Sequence, residues 1–178
     1  MAWTRSSWRN VNLMRKCGLR DLVCDTSSLQ YLHQVGLLYV VHALSRRVVV
    51  PPAVQQELNV GRNFGLDLPD IQRIPWIEVV HPLGEKTVRL LSDMGPGETA
   101  VLMLALENED FVAVLDDSLA RRRASLLDIP FTGTLGILLD AKTKGLLPAI
   151  RPVLGSLTAL GFRLAPHTRE MILKKAGE

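Results

Sequence analysis

Residues 111–117 read Phe111-Val112-Ala113-Val114-Leu115-Asp116-Asp117. Five apolar residues without a polar interruption are the pattern of a strand covered on both faces, as at the centre of a parallel sheet. The acidic pair at its end marks where the chain leaves that sheet. In an open α/β sheet the carboxyl ends of the strands border the crevice where ligands bind. The run Leu22-Val23-Cys24 ends the same way, on Asp25.

Outward from these strands, apolar runs alternate with helical patterns. Residues 21–25 read as a short buried strand, and Thr26-Ser27-Ser28 caps a helix carrying Leu29, Leu32 and His33 that Gly36 ends. A second helical stretch is expected from Leu37 to Leu44. Arg47 to Val50 is a strand stopped by Pro51-Pro52, and these prolines open a helix with Val54 and Leu58 on its apolar side. Residues 61–75 hold Gly, Asn, Asp and Pro and read as a loop or broken helix. A weaker strand is expected from Trp76 to Val80, and a helix at 85–93. After the breaker Gly95-Pro96-Gly97, residues Ala100, Val101, Leu104 and Ala105 form a helical apolar face. Ser118 to Leu127 is helical and carries Arg121-Arg122-Arg123. A short strand near Ile129 to Phe131 leads to Gly133-Thr134-Leu135-Gly136 and a helix to about Lys144, capped by Gly145. Pro148 to Lys175 is mostly helical. The alternation predicts one α/β domain at 21–178, a largely parallel sheet covered on both faces.

Composition supports this. The length of 178 residues suits one domain, and 47% apolar residues suffice for a core. No apolar run approaches the ~18 residues of a spanning helix, so no membrane partner is expected. Aromatic residues at 5% argue against a surface built on base stacking. The formal charge of +3 is a property of the first 20 residues, where Arg5, Arg9, Arg15, Lys16 and Arg20 stand without an acid; the rest of the chain is net −2. Residues 1–20 therefore read as a basic arm, either a disordered tail or a functional extension. It resembles a transit peptide in composition but lacks a long apolar segment. Cys17 and Cys24 lack CxxC spacing and read as a reduced pair, which points to the cytoplasm.

Asp25, Glu57, Glu98 and the Asp116–Asp117 pair sit at the mouths of these elements. Each has an ordinary structural reading. Asp25 and the doublet suit helix caps or turns. Glu98 suits the positive end of a helix. Glu57 suits a solvated helix face. Their shared placement is the functional signal: carboxylates gathered in one crevice repel each other unless a cation neutralises them, and a hard divalent ion implies phosphate chemistry. Gly133-Thr134-Leu135-Gly136 is either a tight turn capped by Thr134 or a backbone phosphate cradle. Of the three arginines, Arg121 is the candidate for a phosphate or carboxylate. Leu37, Leu38, Tyr39 and Val40 read as core, with a docking surface as the alternative.

Other chemistries lack their residues. The four histidines show no HxxxH spacing, and neither GxSxG nor GxxxxGK[ST] occurs. A haloacid-dehalogenase-type phosphatase wants an aspartate two positions after Asp25, where this chain has Ser27.

The ordered set Cys24-Asp25-Thr26-Ser27, Val50-Pro51 with Glu57, Gly97-Glu98, Leu115-Asp116-Asp117 with Arg121, Gly133-Thr134-Leu135-Gly136 and the closing Gly161-Phe162-Arg163-Leu164 resembles the PIN-domain superfamily. It is nearest to a prokaryotic subfamily related to the VapC-type toxin ribonucleases of toxin–antitoxin pairs. The resemblance covers residues 21–178. It implies a three-layer α/β/α sandwich with a five-stranded, mostly parallel sheet. It also implies endoribonuclease activity on mostly single-stranded RNA, dependent on Mg²⁺ or Mn²⁺ and leaving 5′-phosphate and 3′-hydroxyl ends. It places Asp25, Glu57, Glu98 and Asp117 in catalysis and Asp25, Glu98, Asp116 and Asp117 at the metal. The fourth acid is either member of the doublet, with Asp117 favoured by its distance from the strand. Ser27, Arg121 and Thr134 take supporting or substrate-binding roles. Homodimerisation and an antitoxin protein as partner are implied too. The alternative is a PIN-like module that binds nucleic acid or protein with little or no hydrolysis, favoured by the near-neutral charge of residues 21–178.

Overall fold

The structure, a computed structural model, describes residues 19–84 and 93–178. The basic arm therefore lies outside the described residues except for Leu19 and Arg20. So does the helix expected at 85–93, except for Asp93, which stands in a turn.

Five strands, β1 (Asp21–Cys24), β2 (Arg47–Val50), β3 (Ile77–Val79), β4 (Phe111–Val114) and β5 (Phe131–Thr132), form one sheet in the order β3-β2-β1-β4-β5. Every pairing is parallel. The described residues also hold α1 (Thr26–Gln34), α2 (Tyr39–Leu44), α3 (Pro52–Asn63), α4 (Pro96–Glu107), α5 (Ser118–Leu126), α6 (Thr134–Thr143), α7 (Arg151–Ala159) and α8 (Pro166–Ala176). These helices cover the sheet to give a three-layer α/β/α sandwich. Helix α4 packs on β1, β4, α3 and α5, and α6 packs on β5, α1, α2 and α8.

Burial explains why the continuous apolar runs became the central strands. All four residues of β1 and all four of β4 are buried, and Leu22 pairs with Val48 on one side and Val112 on the other. The edge strands differ. In β3 only Ile77 is buried, and Trp76 lies outside the strand, stacked on His42 at a ring separation of 5.0 Å. β5 begins at Phe131 instead of Ile129. Pro130 has no N–H to donate to a ladder, although its carbonyl accepts from Ala113 N at 2.9 Å.

Helix α2 is shorter than expected because Gly36, at φ +70°, closes α1 and turns the chain. Leu37 N then donates to Leu32 O at 2.8 Å, the bond of a glycine-terminated helix. Leu37, Leu38 and Val40 are buried and Tyr39 is exposed, so this stretch is mainly core. Within 61–75, α3 continues to Asn63 and a 3₁₀ turn spans Ile71–Arg73. The C-terminal helical region is two helices, α7 and α8.

The two edges of the sheet differ in charge. At the amino edge Asp21, 1% exposed, is paired by Arg46 at 2.8 Å and Arg47 at 3.5 Å. The carboxyl edge carries the acids. The strand order reverses between β1 and β4, so Asp25 and the Asp116–Asp117 pair emerge side by side at the switch point, where a crevice opens.

Candidate active site

Asp25 leaves β1 with its amide donating to Val114 O of β4 at 3.1 Å. Its side chain caps α1, accepting from Ser28 N at 2.8 Å through Oδ1 and from Ser27 Oγ at 2.9 Å through Oδ2. The expected cap thus uses Asp25 itself, while Ser27 and Ser28 orient it. Asp116 N donates to the same Oδ2 at 3.4 Å. Burial first, and then the Asp116 charge, push the Asp25 carboxyl up to about 6, against the hydrogen bonds from Ser28 and Ser27.

The doublet divides its work. Asp116, its side chain 8% exposed, faces inward. Its Oδ1 accepts from Thr134 N at 2.9 Å and from Arg121 Nη2 at 3.3 Å, and its Oδ2 accepts from Thr134 Oγ1 at 2.5 Å. Burial raises Asp116 above the ordinary carboxylate value, and Thr134 and Arg121 oppose that rise. Those donors favour its charged form. Asp117 is exposed and caps α5, its Oδ1 accepting from Leu119 N at 2.7 Å and Ala120 N at 3.0 Å.

The turn into α6 is built around Asp116. Thr134 gives it both an amide and a hydroxyl, so the free N–H at this helix start serves a carboxylate of the chain itself. Gly133 has an extended backbone that any residue can adopt, φ −152° and ψ −178°. Glycine is required by proximity: a Cβ would stand 2.4 Å from Arg121 Nη2 and 2.8 Å from Asp116 Oδ1. Arg121 donates from Nε to Leu115 O at 2.7 Å. It therefore ties the end of β4 to Asp116. Burial lowers its pKa, and the charges of Asp116, Asp25 and Asp117 oppose that.

Glu57 and Glu98 complete the edge. Glu57 accepts from Gly97 N at 2.8 Å, and Thr26 Oγ1 donates to its other oxygen. It links the starts of α1 and α4 rather than lying on a solvated face. Gly97 fits because a Cβ would come within 2.5 Å of Glu57 Oε2. Glu98, in the first turn of α4, reaches back to Gly95 N at 3.1 Å. Burial raises its pKa against that bond, and the Asp117 and Glu57 charges add to the rise.

Five carboxylates thus run along one edge, and among the described residues Arg121 is the single cation paired to any of them. Asp25 and Asp116 meet, and the charges of Asp117 and Glu57 act on Glu98. They do not close into one knot: no group of three or more His, Cys, Asp or Glu among the described residues could hold a metal ion as placed. The reason is local, since every one of these carboxylates is engaged by nearby N–H or O–H donors. In chemistry the set suits a hard cation, being anionic oxygen throughout.

Thr26, Ser28 and Gly97, legible in the sequence only as cap or motif residues, hold Asp25 and Glu57 in place. Thr26-Ser27-Ser28 was legible as a cap, but its reach to Glu57, 31 positions away, was not. Cys24 beside the site is free and buried; burial, followed by the Asp25 charge, pushes its thiol up, which keeps it protonated and inert. Cys17 lies outside the described residues. No helix among the described residues is long and apolar enough to cross a membrane.

The family model DUF3368, described as a PIN domain, matches residues 21–178. No curated protein matches the chain. With this match and the sandwich around the acidic edge, the chain belongs to the PIN-domain family. PIN domains share a nuclease-like fold, are generally metal-dependent nucleases and typically use divalent metals.

Proposed function

We propose that this chain is a metal-dependent endoribonuclease that hydrolyses phosphodiester bonds of single-stranded RNA. The observation that carries the reading is the meeting of Asp25 and Asp116 at the switch point, on an edge where five carboxylates share one paired guanidinium. Mg²⁺ or Mn²⁺ would be held by Asp25 and Asp116, with Asp117 and Glu98 completing the set, partly through water. Such an ion, when bound, supplies a water of lowered pKa and charge neutralisation for the phosphate.

The chain's own residues prepare that arrangement. Ser27 and Ser28 aim the Asp25 carboxylate. Thr134 and Arg121 keep Asp116 charged inside a poorly solvated edge. Glu57 holds the start of α4, and with it Glu98, beside α1. In this reading Glu57 is a positioning residue, and so is Arg121, whose guanidinium faces a carbonyl and a carboxylate. A toxin role with an antitoxin partner, homodimerisation and a cytoplasmic location belong to the same proposal.

The test is cleavage of single-stranded RNA with Mn²⁺ by the wild type and by Asp25→Asn and Asp116→Asn. Both variants should lose activity by at least ~100-fold, the scale for removing a group that acts on the transition state. Undiminished cleavage by both would overturn the proposal. A second reading, a PIN-like binding module with little hydrolysis, has one observation in its favour: no three acids are gathered tightly enough for an ion among the described residues. A thermal shift with Mn²⁺ separates the two, since an ion that binds the folded state raises its melting temperature.

A further inference from the structure

A cavity of about 560 Å³ adjoins the acidic edge, lined by Asp116, Asp117, Arg121, Leu135, Arg163 and Thr168 among others. Its volume lies in the range of small-ligand sites, roughly 300–1,000 Å³. Three features of its outer wall point to an anion. Helix α8 begins there at Pro166 without a side-chain cap. The first bond into that turn is Arg169 N to Ala165 O at 3.0 Å, so the amides of His167 and Thr168 precede it at the positive end of the helix. Thr168, 5% exposed, lines the cavity, and its hydroxyl has no hydrogen-bond partner among the described residues. Arg163 is exposed and forms no ion pair among the described residues.

The inner wall is different. Asp116 and Asp117 are negative there, and Arg121 is already engaged by Leu115 O and Asp116. An anion is therefore repelled from the inner end and attracted to the outer end, by Arg163, Thr168 and the start of α8. Leu135 and Leu164 add apolar wall.

We propose that this cavity is a phosphate subsite of the RNA strand, holding a backbone phosphate of a nucleotide next to the one that is cut. Arg163 supplies charge, and the Thr168 hydroxyl and amide supply donors at the start of α8. The proposal rests on the nuclease reading for the identity of the strand, and the binding geometry is independent of cleavage.

The test uses the full chain in EDTA, so that binding is read without cleavage, with fluorescence anisotropy of a short labelled single-stranded RNA. Arg163→Ala should weaken binding by about 5- to 10-fold and flatten the salt dependence of log K by ~0.7, the increment for one phosphate contact on a single strand. Thr168→Val should weaken it by a few-fold, with Thr168→Ser restoring it, and inorganic phosphate should compete. Wild-type binding in both Arg163→Ala and Thr168→Val, no competition by phosphate, or no binding by the wild type would each overturn the subsite. Cleavage with Mn²⁺ on the same preparations keeps the two readings apart. Binding that depends on Arg163 in a chain that cuts nothing supports the subsite and removes the nuclease. Cleavage and binding indifferent to both substitutions keep the nuclease and remove the subsite.

Discussion

Replacing Asp25 with Asn should make the metal-free protein more stable while removing the proposed nuclease activity. The Asp25 carboxyl, 2% exposed, titrates near 6 in the fold, against an ordinary value of 3.8. Between those values the folded chain holds a proton that the unfolded chain has released, so stability falls as pH rises through the window and stays lowered above it. A shift of about 2 units at 1.36 kcal/mol per unit puts the cost of an ionised Asp25 near 3 kcal/mol at pH 8. Asparagine keeps the helix cap, because its oxygen can still accept from Ser28 N. Its NH2 in place of Oδ2 gives up the 2.9 Å bond from Ser27 Oγ and the long 3.4 Å bond from Asp116 N, so a net gain of about 1–2 kcal/mol remains, after two hydrogen bonds at ~0.5–1 kcal/mol each are subtracted. For a chain of this size that is a rise of roughly 2–8 °C in melting temperature. The assay is thermal unfolding of both proteins in EDTA from pH 8 down to 4. The Asn variant should lead at pH 8, and the lead should vanish as Asp25 of the wild type takes up its proton. Excess Mn²⁺ should then reverse the order by stabilising the wild type alone, by about 2.7 kcal/mol at 100 times its dissociation constant. A metal-free Asn variant less stable than the wild type at pH 8, or a difference that ignores pH, would refute the argument.

Three further outcomes follow from the same geometry. Thr134→Val removes the 2.5 Å hydroxyl bond that helps keep Asp116 charged, so Asp116 should titrate higher and the acid limb of the pH–activity profile should move to higher pH. Gly133→Ala brings a Cβ to 2.4 Å from Arg121 Nη2; the displaced guanidinium should cost about 1–3 kcal/mol in urea unfolding and lower kcat. Asp117 has separable roles: Asn keeps the α5 cap and should lose activity with little change in stability, whereas Ala should also cost about 1 kcal/mol.

Much of the fold was legible because its causes are local. Phe111 to Leu115 could satisfy an unbroken apolar run only by burial on both faces, and β4 lies inside the order, between β1 and β5, for that reason. The helix start at Pro52 was readable from proline's missing N–H and preset φ, whereas Pro96, read as part of a breaker, is itself the first residue of α4. The boundaries that moved, at Leu37–Leu38 and at Ile129–Pro130, moved where a left-handed glycine and a missing donor act on neighbours. The acids were legible as positions, since each directly follows a strand or lies near a helix start.

Their roles were not. Whether Asp116 or Asp117 turns into the crevice depends on backbone angles at the end of β4, and two adjacent aspartates look alike in composition. The structure gives Asp116 to Asp25 and Thr134, and gives Asp117 to the cap of α5. Arg121, read as a candidate for phosphate or carboxylate, proved to hold Leu115 O and Asp116. Glu57 proved to bridge Thr26 and Gly97. By itself, then, the sequence determined an α/β chain with acids at the mouths of its elements, because hydrophobic periodicity and helix signals act over a few residues. Only the tertiary structure decided which acids meet, because the parallel pairing of β1 with β4 joins segments some 90 positions apart, and desolvation and charge coupling act through space.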